Sequence, residues 1–319
     1  MLVLAMAAFA GFGAAPSQAT TWFEVTIKCP IGGKKFKSAE MGSNSYFGQR
    51  PDGRPYSPSP IPPISECPDN GFVIFDRELP KTAIDRLAPL VASDEYQALR
   101  KTETRHYRAS WLMERIGHNG YDRAYELMIA GWESDDQPER KARYQTEFAA
   151  AVLALERGDA RRDDWFWLRL RAANALRETG RFDEAGAVIT ATYRPEYFPS
   201  DADESNGAKF LVEGLRDLLH DRNRTAEPAN LIPPMEAIMR CRLDGLSAAE
   251  TAACASPRVR EAFEDRRKDD LSEGQDEAAT AASAAASDAA AAATEAANEA
   301  AEAARSAARA AKRMKRERD

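Results

Sequence analysis

Four cysteines and three histidines are all that this 319-residue chain offers in soft metal-ligating side chains, and they are widely scattered. No two cysteines form the C-x-x-C pair used in disulfide exchange, and His106, His118 and His220 lack H-E-x-x-H spacing. A G-x-S-x-G elbow, a phosphate-binding loop and a dinucleotide fingerprint are missing too. No catalytic residue, metal ligand set or cofactor is therefore nominated. Positive charge is not in excess: 44 Lys and Arg face 51 Asp and Glu, a formal net charge of −7. That balance argues against nucleic-acid binding, which wants a basic face. The apolar run from Leu2 to about Ala15 is too short to span a bilayer.

That run is what decides the expected compartment. It ends on Ser17-Gln18-Ala19, a small-x-small cleavage site, so residues 1–19 read as a signal peptide. A positively charged start is missing; either Met1 lies inside a longer leader or the signal is atypical. Export to a periplasm or beyond is the expectation. An even set of four cysteines suits it, being compatible with two disulfides.

Two of the cysteines open matching patterns. Cys29-Pro30-Ile31-Gly32-Gly33 and Cys67-Pro68-Asp69-Asn70-Gly71 are each a C-P-x-C-G knuckle with its second cysteine replaced, by Gly32 and by Asn70. A structural zinc site needs four ligands in a tetrahedron, two from each knuckle. Here one thiolate per knuckle is gone, and zinc is not expected. In opposed knuckles the surviving cysteines lie close enough for a small adjustment to join them, so a Cys29–Cys67 disulfide is expected. Free thiols, or a makeshift site using Asp69 or a distant histidine, are the competing readings. Cys241 and Cys254 lie on the two arms of a predicted helical hairpin, the second arm opened by the capping box Ser247-Ala248-Ala249-Glu250. They are the second expected pair, although sequence alone permits three pairings.

With Phe36 and Phe72-Val73-Ile74-Phe75, this pattern resembles the bacterial family known as domain of unknown function 2225 over about residues 21–195. The resemblance implies paired knuckles followed by tetratricopeptide-like helices. It departs from the family at Gly32 and Asn70, so metal binding does not carry over, and the family has no assigned activity.

The chain in order supports that division. Residues 20–28 alternate as a strand and Phe72 to Phe75 reads as a second. Between them Pro51, Pro55, Pro58, Pro60, Pro62 and Pro63 predict a stiff, extended, exposed loop. From Pro80 the period becomes helical. Tyr121 and Ala124 form one degenerate repeat unit. Ala172-Ala173, Leu176 and Gly180-Arg181-Phe182-Asp183-Glu184-Ala185 form the other. Further helices are expected over 138–157 and 207–220 to complete the core. From about Leu271 the chain is mostly alanine with acidic residues before basic ones, a partly formed helix or a disordered tail.

The expected fold is mostly α. A degenerate zinc-ribbon-like β region with a Pro-rich loop (20–79) precedes a tetratricopeptide-like helical repeat domain (80–270) and an Ala-rich tail (271–319). The expected role is a secreted or periplasmic binding or scaffold protein. A groove is expected to take a protein or peptide partner, and the basic tail end to be solvated, with contact to an anionic envelope surface as the alternative. In the resembled repeats the inner helices line such a groove, which implies that Asn174 and Arg177 face it. A cryptic enzyme with its site between knuckles and helices, or a metal-binding module, is the alternative.

Overall fold

A computed structural model describes residues 21–44, 48–56, 60–61, 63–199, 202–242, 248–257, 259–265 and 268. The expected signal peptide, Ser247 and the Ala-rich tail lie outside the described residues. The chain is mostly helical, with a small antiparallel sheet near its start. By packing it divides into two units, Met1–Ala253 and Cys254–Asp319. The second is described only over its first residues, which are helical.

Strand β1 (Thr21–Lys28) pairs with β2 (Lys35–Ser43), with Ile27 opposite Phe36 and Lys28 opposite Lys35. The turn between them is the first knuckle. Cys29 N donates to Lys34 O at 2.8 Å, and Gly33 N to Cys29 O at 3.1 Å. The second knuckle repeats this bonding: Cys67 N to Phe72 O at 2.8 Å and Gly71 N to Cys67 O at 2.9 Å. Gly33 and Gly71 both take a left-handed conformation, φ 74° and 75°, which a side chain would strain. Cys29 and Cys67 are joined as a disulfide with their Cα atoms 5.7 Å apart, an ordinary span for such a bridge. Cys241 and Cys254 are disulfide-bonded as well, so none of the four cysteines is free. Such pairs fit an oxidising, extracytoplasmic compartment. No described helix is long and apolar enough to cross a membrane.

Asn70 stands where the second knuckle would carry its other cysteine. Its Nδ2 donates to Ile31 O of the first knuckle at 2.9 Å, and its Oδ1 accepts from Phe72 N at 2.9 Å. Hydrogen bonding from Asn70 thus adds to the disulfide in holding the knuckles together. The strand expected at Phe72 to Phe75 is only an isolated bridge, Val73 opposite Glu66. Its residues are spent on burial instead: Phe72 and Val73 are fully enclosed.

Ten α-helices follow among the described residues: α1 (Lys81–Ala92), α2 (Asp94–Thr102), α3 (Arg105–Arg115), α4 (Tyr121–Trp132), α5 (Pro138–Leu153), α6 (Arg162–Glu178), α7 (Phe182–Thr192), α8 (Ala202–His220), α9 (Pro234–Arg240) and α10 (Ala248–Ala255). Their boundaries have local causes. Ser93 and Thr104 cap α2 and α3 by accepting from Tyr96 N and Tyr107 N. Pro138 occupies the first turn of α5. Gly180, at φ 86°, closes α6, with Arg181 N donating back to Leu176 O at 2.8 Å, the C-terminal motif that glycine favours. Pro89 does not break α1; it lies on an exposed turn of that helix.

Consecutive helices α3 to α7 pack pairwise, and α4 touches α6, which touches α8. One core runs through α4 to α8, with Phe148, Phe166, Leu168, Leu170, Leu176 and Ile189 at its centre. A second joins the disulfide, Phe72 and Val73 to Leu87, Tyr96 and Leu112 of α1 to α3. Glu66 fastens the knuckles to the helices, its carboxylate meeting Arg100 at 3.1 Å, Arg105 at 3.0 Å and Arg108 at 2.8 Å.

Candidate functional site

The first part of the proline-rich segment is not an exposed loop, whereas Pro60 and Pro63 are exposed as expected and Pro58 and Pro62 lie outside the described residues. Residues 48–56 form a tight hairpin: Gly53 N donates to Arg50 O at 2.9 Å, Arg50 N to Arg54 O at 2.8 Å and Tyr56 N to Gly48 O at 2.9 Å. Pro51-Asp52-Gly53 is its three-residue turn, ending in a left-handed Gly53 at φ 84°, a common connection of this length. Pro51, Asp52, Gly53 and Tyr56 are buried. Proline supplied a pre-set turn here rather than an extended rod. The stretch Pro51-Asp52-Gly53-Arg54 was the sequence signal for it.

The hairpin is seated on α4, α6 and the segment after α8. Trp132 Nε1, at the end of α4, donates to Asp52 O at 3.1 Å. Arg171 of α6 donates to Gln49 Oε1 at 3.0 Å. It lies so close to Gly53 that a Cβ there would sit 2.5 Å from its Nε, and a Cβ on Gly48 would sit 2.5 Å from Pro233 Cγ. Two glycines therefore let the backbone approach.

Charge holds the hairpin down. Arg50 bonds Asp52 and, at 2.6 Å, Asp135. Asp135 also takes Arg54, and Lys141 at 2.7 Å. Lys141 continues to Glu178 at 3.5 Å, whose oxygens accept from Gln145 and Asn174, both at 2.7 Å. Burial pushes the Asp135 carboxyl up, but Arg50 and Lys141 outweigh it and hold the group well below the usual carboxylate range. Burial likewise lowers Arg50, yet Asp52 and Asp135 raise it on balance. Ion pairs thus join Arg50, Arg54, Lys141 and Arg177 to Asp52, Asp135 and Glu178.

Asn174 and Arg177 do not face a groove. Both are fully buried. Arg177 donates to Asn174 Oδ1 at 2.8 Å and to the carbonyls of Asn223 and Thr225 at 2.7 and 2.9 Å, pinning the chain after α8 to α6. The register was sound, but α6 is enclosed by its neighbours, so its polar residues satisfy one another. Burial lowers the Arg177 pKa, with Glu178 opposing. Cys29 and Cys67 sit in the knuckle core, and Cys241 and Cys254 come after α8 in the chain.

Beside the hairpin lies a cavity of about 240 Å³. Trp167, Phe210, Leu211, Leu231 and Pro233 wall it, and Arg50 and Arg171 reach its edge. Sequence reasoning missed it because its walls come from segments far apart in the chain. Among the described residues no group of three or more His, Cys, Asp or Glu is placed to hold a metal ion. The chain was compared with family models, curated proteins and solved structures, and none matches it.

Proposed function

We propose that the protein is an exported, periplasmic or secreted binding or scaffold protein, with a tetratricopeptide-like helical array that engages a protein or peptide partner. The knuckle region is then a zinc ribbon whose metal has given way to a disulfide, in keeping with the resemblance to domain of unknown function 2225. One observation carries the reading: α4, α6 and the segments after α4 and α8 already grip a tight hairpin of their own chain, through backbone and side-chain acceptors and Arg–Asp pairs. A surface able to hold one short turn has the chemistry to hold another. The hairpin narrows the face, so a partner segment enters beside it, over Trp167 and Phe210.

The test is site-specific photo-crosslinking in the intact envelope, with the crosslinking residue in place of Phe210 or of the exposed Arg181 just before α7. Discrete adducts at position 210 and none at 181 are expected. Equal labelling at both, or none at 210, overturns the reading.

A further inference from the structure

We propose that the cavity beside the hairpin binds an apolar carboxylate, with the ligand's acid group on Arg171 and its tail against Trp167, Phe210 and Leu211. The inference stands whether or not a macromolecular partner exists.

Three observations meet at this place. The described wall is apolar on the α8 side, and its polar side chains are Gln49 and two cations, Arg50 and Arg171, with no acidic residue. The two cations are not equivalent. Arg50 is spent on Asp52 and Asp135, whereas Arg171 forms no ion pair among the described residues. Its contacts with Gln49 and the Tyr125 hydroxyl leave further donors among its five. Finally, the cavity, at about 240 Å³, has room for a short aliphatic chain. Burial depresses the Arg171 pKa, and Tyr125, Asp52 and Asp164 restore it only in part. A partly buried guanidinium with a planar fork is suited to bidentate grip of a carboxylate, and a largely apolar wall with few convergent polar groups is the usual make-up of a small-ligand site.

Source and chemistry are separable. A small aliphatic acid and the C-terminal carboxylate of a peptide share the group that Arg171 would hold. Calorimetric titration of the full-length protein would use octanoate, octan-1-ol, acetyl-Ala-Ala-Leu and its C-terminal amide. Binding by octanoate alone assigns a small acid, and binding by the peptide acid alone assigns a chain terminus. Binding by both leaves the shared chemistry as the determinant. The alcohol and the amide are expected to bind at least tenfold more weakly than their acids. Arg171→Gln should weaken the acids by tenfold or more and leave the alcohol unchanged. Because that variant also loses the Gln49 contact, Gly207→Leu serves as a second. Gly207 lines the cavity and a Cβ there meets only Trp167, at 3.8 Å, so a larger side chain takes up cavity space while improving helix propensity. It should abolish binding in a folded protein. No heat from either acid, equal affinity for acid and alcohol, or full binding by Gly207→Leu overturns the proposal.

Discussion

Arg50→Ala removes the side chain that ties the hairpin to the helical array. Arg50 is about 10% exposed and faces two carboxylates. Breaking a buried ion pair by deleting one partner typically costs about 3–5 kcal/mol, because the other charge is left uncompensated. Here the loss is cushioned: Asp135 keeps Arg54 and Lys141, and Asp52 keeps Lys141 at 3.8 Å. A loss of roughly 2–3 kcal/mol is therefore expected on that scale. Urea unfolding reads it as a lower midpoint at unchanged slope. Hydrogen exchange locates it, since the amides of Arg50, Gly53 and Tyr56 close the hairpin and should lose protection while α6 and α7 keep theirs. Asp135→Ala and the double variant complete a cycle, with a coupling of about 1–3 kcal/mol expected for groups in direct contact. A loss under about 0.5 kcal/mol, the level of an ordinary surface substitution, would refute the reasoning. So would additivity of the two changes.

Cys29→Ser removes a bridge across a sequence separation of 38, for which chain entropy gives about 4 kcal/mol; reductant should reproduce the loss in the parent protein and leave the variant's remaining loss smaller. Gly71→Ala places a Cβ 2.4 Å from Arg100 Cδ at φ 75°, whereas Gly117→Ala at φ 80° meets open space. Both incur the left-handed cost of about 1–2 kcal/mol, so the Gly71 variant should show the lower urea midpoint, and equal midpoints would contradict the packing. Acid should destabilise the fold. Asp135 and Glu66 have folded pKa values depressed by their arginines despite burial, so their stabilisation is present above the ordinary carboxylate pKa of about 4 and is lost as pH falls through that range toward the folded values. Asp135→Asn should flatten the fall in unfolding free energy between pH 6 and pH 3, and an unchanged slope would remove Asp135 from the account.

Elements with a local cause were legible in the sequence. β1, the Gly180 turn and the Pro138 start of α5 follow from alternation, caps and glycine chemistry, and the structure places them within a few residues. The Cys29–Cys67 bridge was legible for a related reason, because two equal knuckles constrain where their cysteines lie. The candidate site was not legible, because burial is a property of neighbours rather than of pattern. Proline content fixes φ but does not say what covers a loop, so residues 48–56 read as exposed when the helical array encloses them. Asn174 and Arg177 occupy helix positions that solvent would reach in an isolated pair. With helices on several sides of α6 those positions became interior, and an (i, i+3) and (i, i+4) chain of hydrogen bonds through Glu178 satisfies them.

Seating of the 48–56 hairpin has a bearing on the order of assembly. Its partners lie 80 residues downstream at Trp132, 85 at Asp135 and 122 at Arg171. Pairings of such long range slow folding, since the intervening chain must close before they form. A polypeptide emerging N-terminus first could therefore close its knuckle link early, yet would carry an unseated turn until α6 arrived. A fragment beginning at residue 80 would lack the acceptor for the Trp132 indole and two of the three cations on Asp135, keeping only Lys141, so the helical half matures fully only once the hairpin is in place.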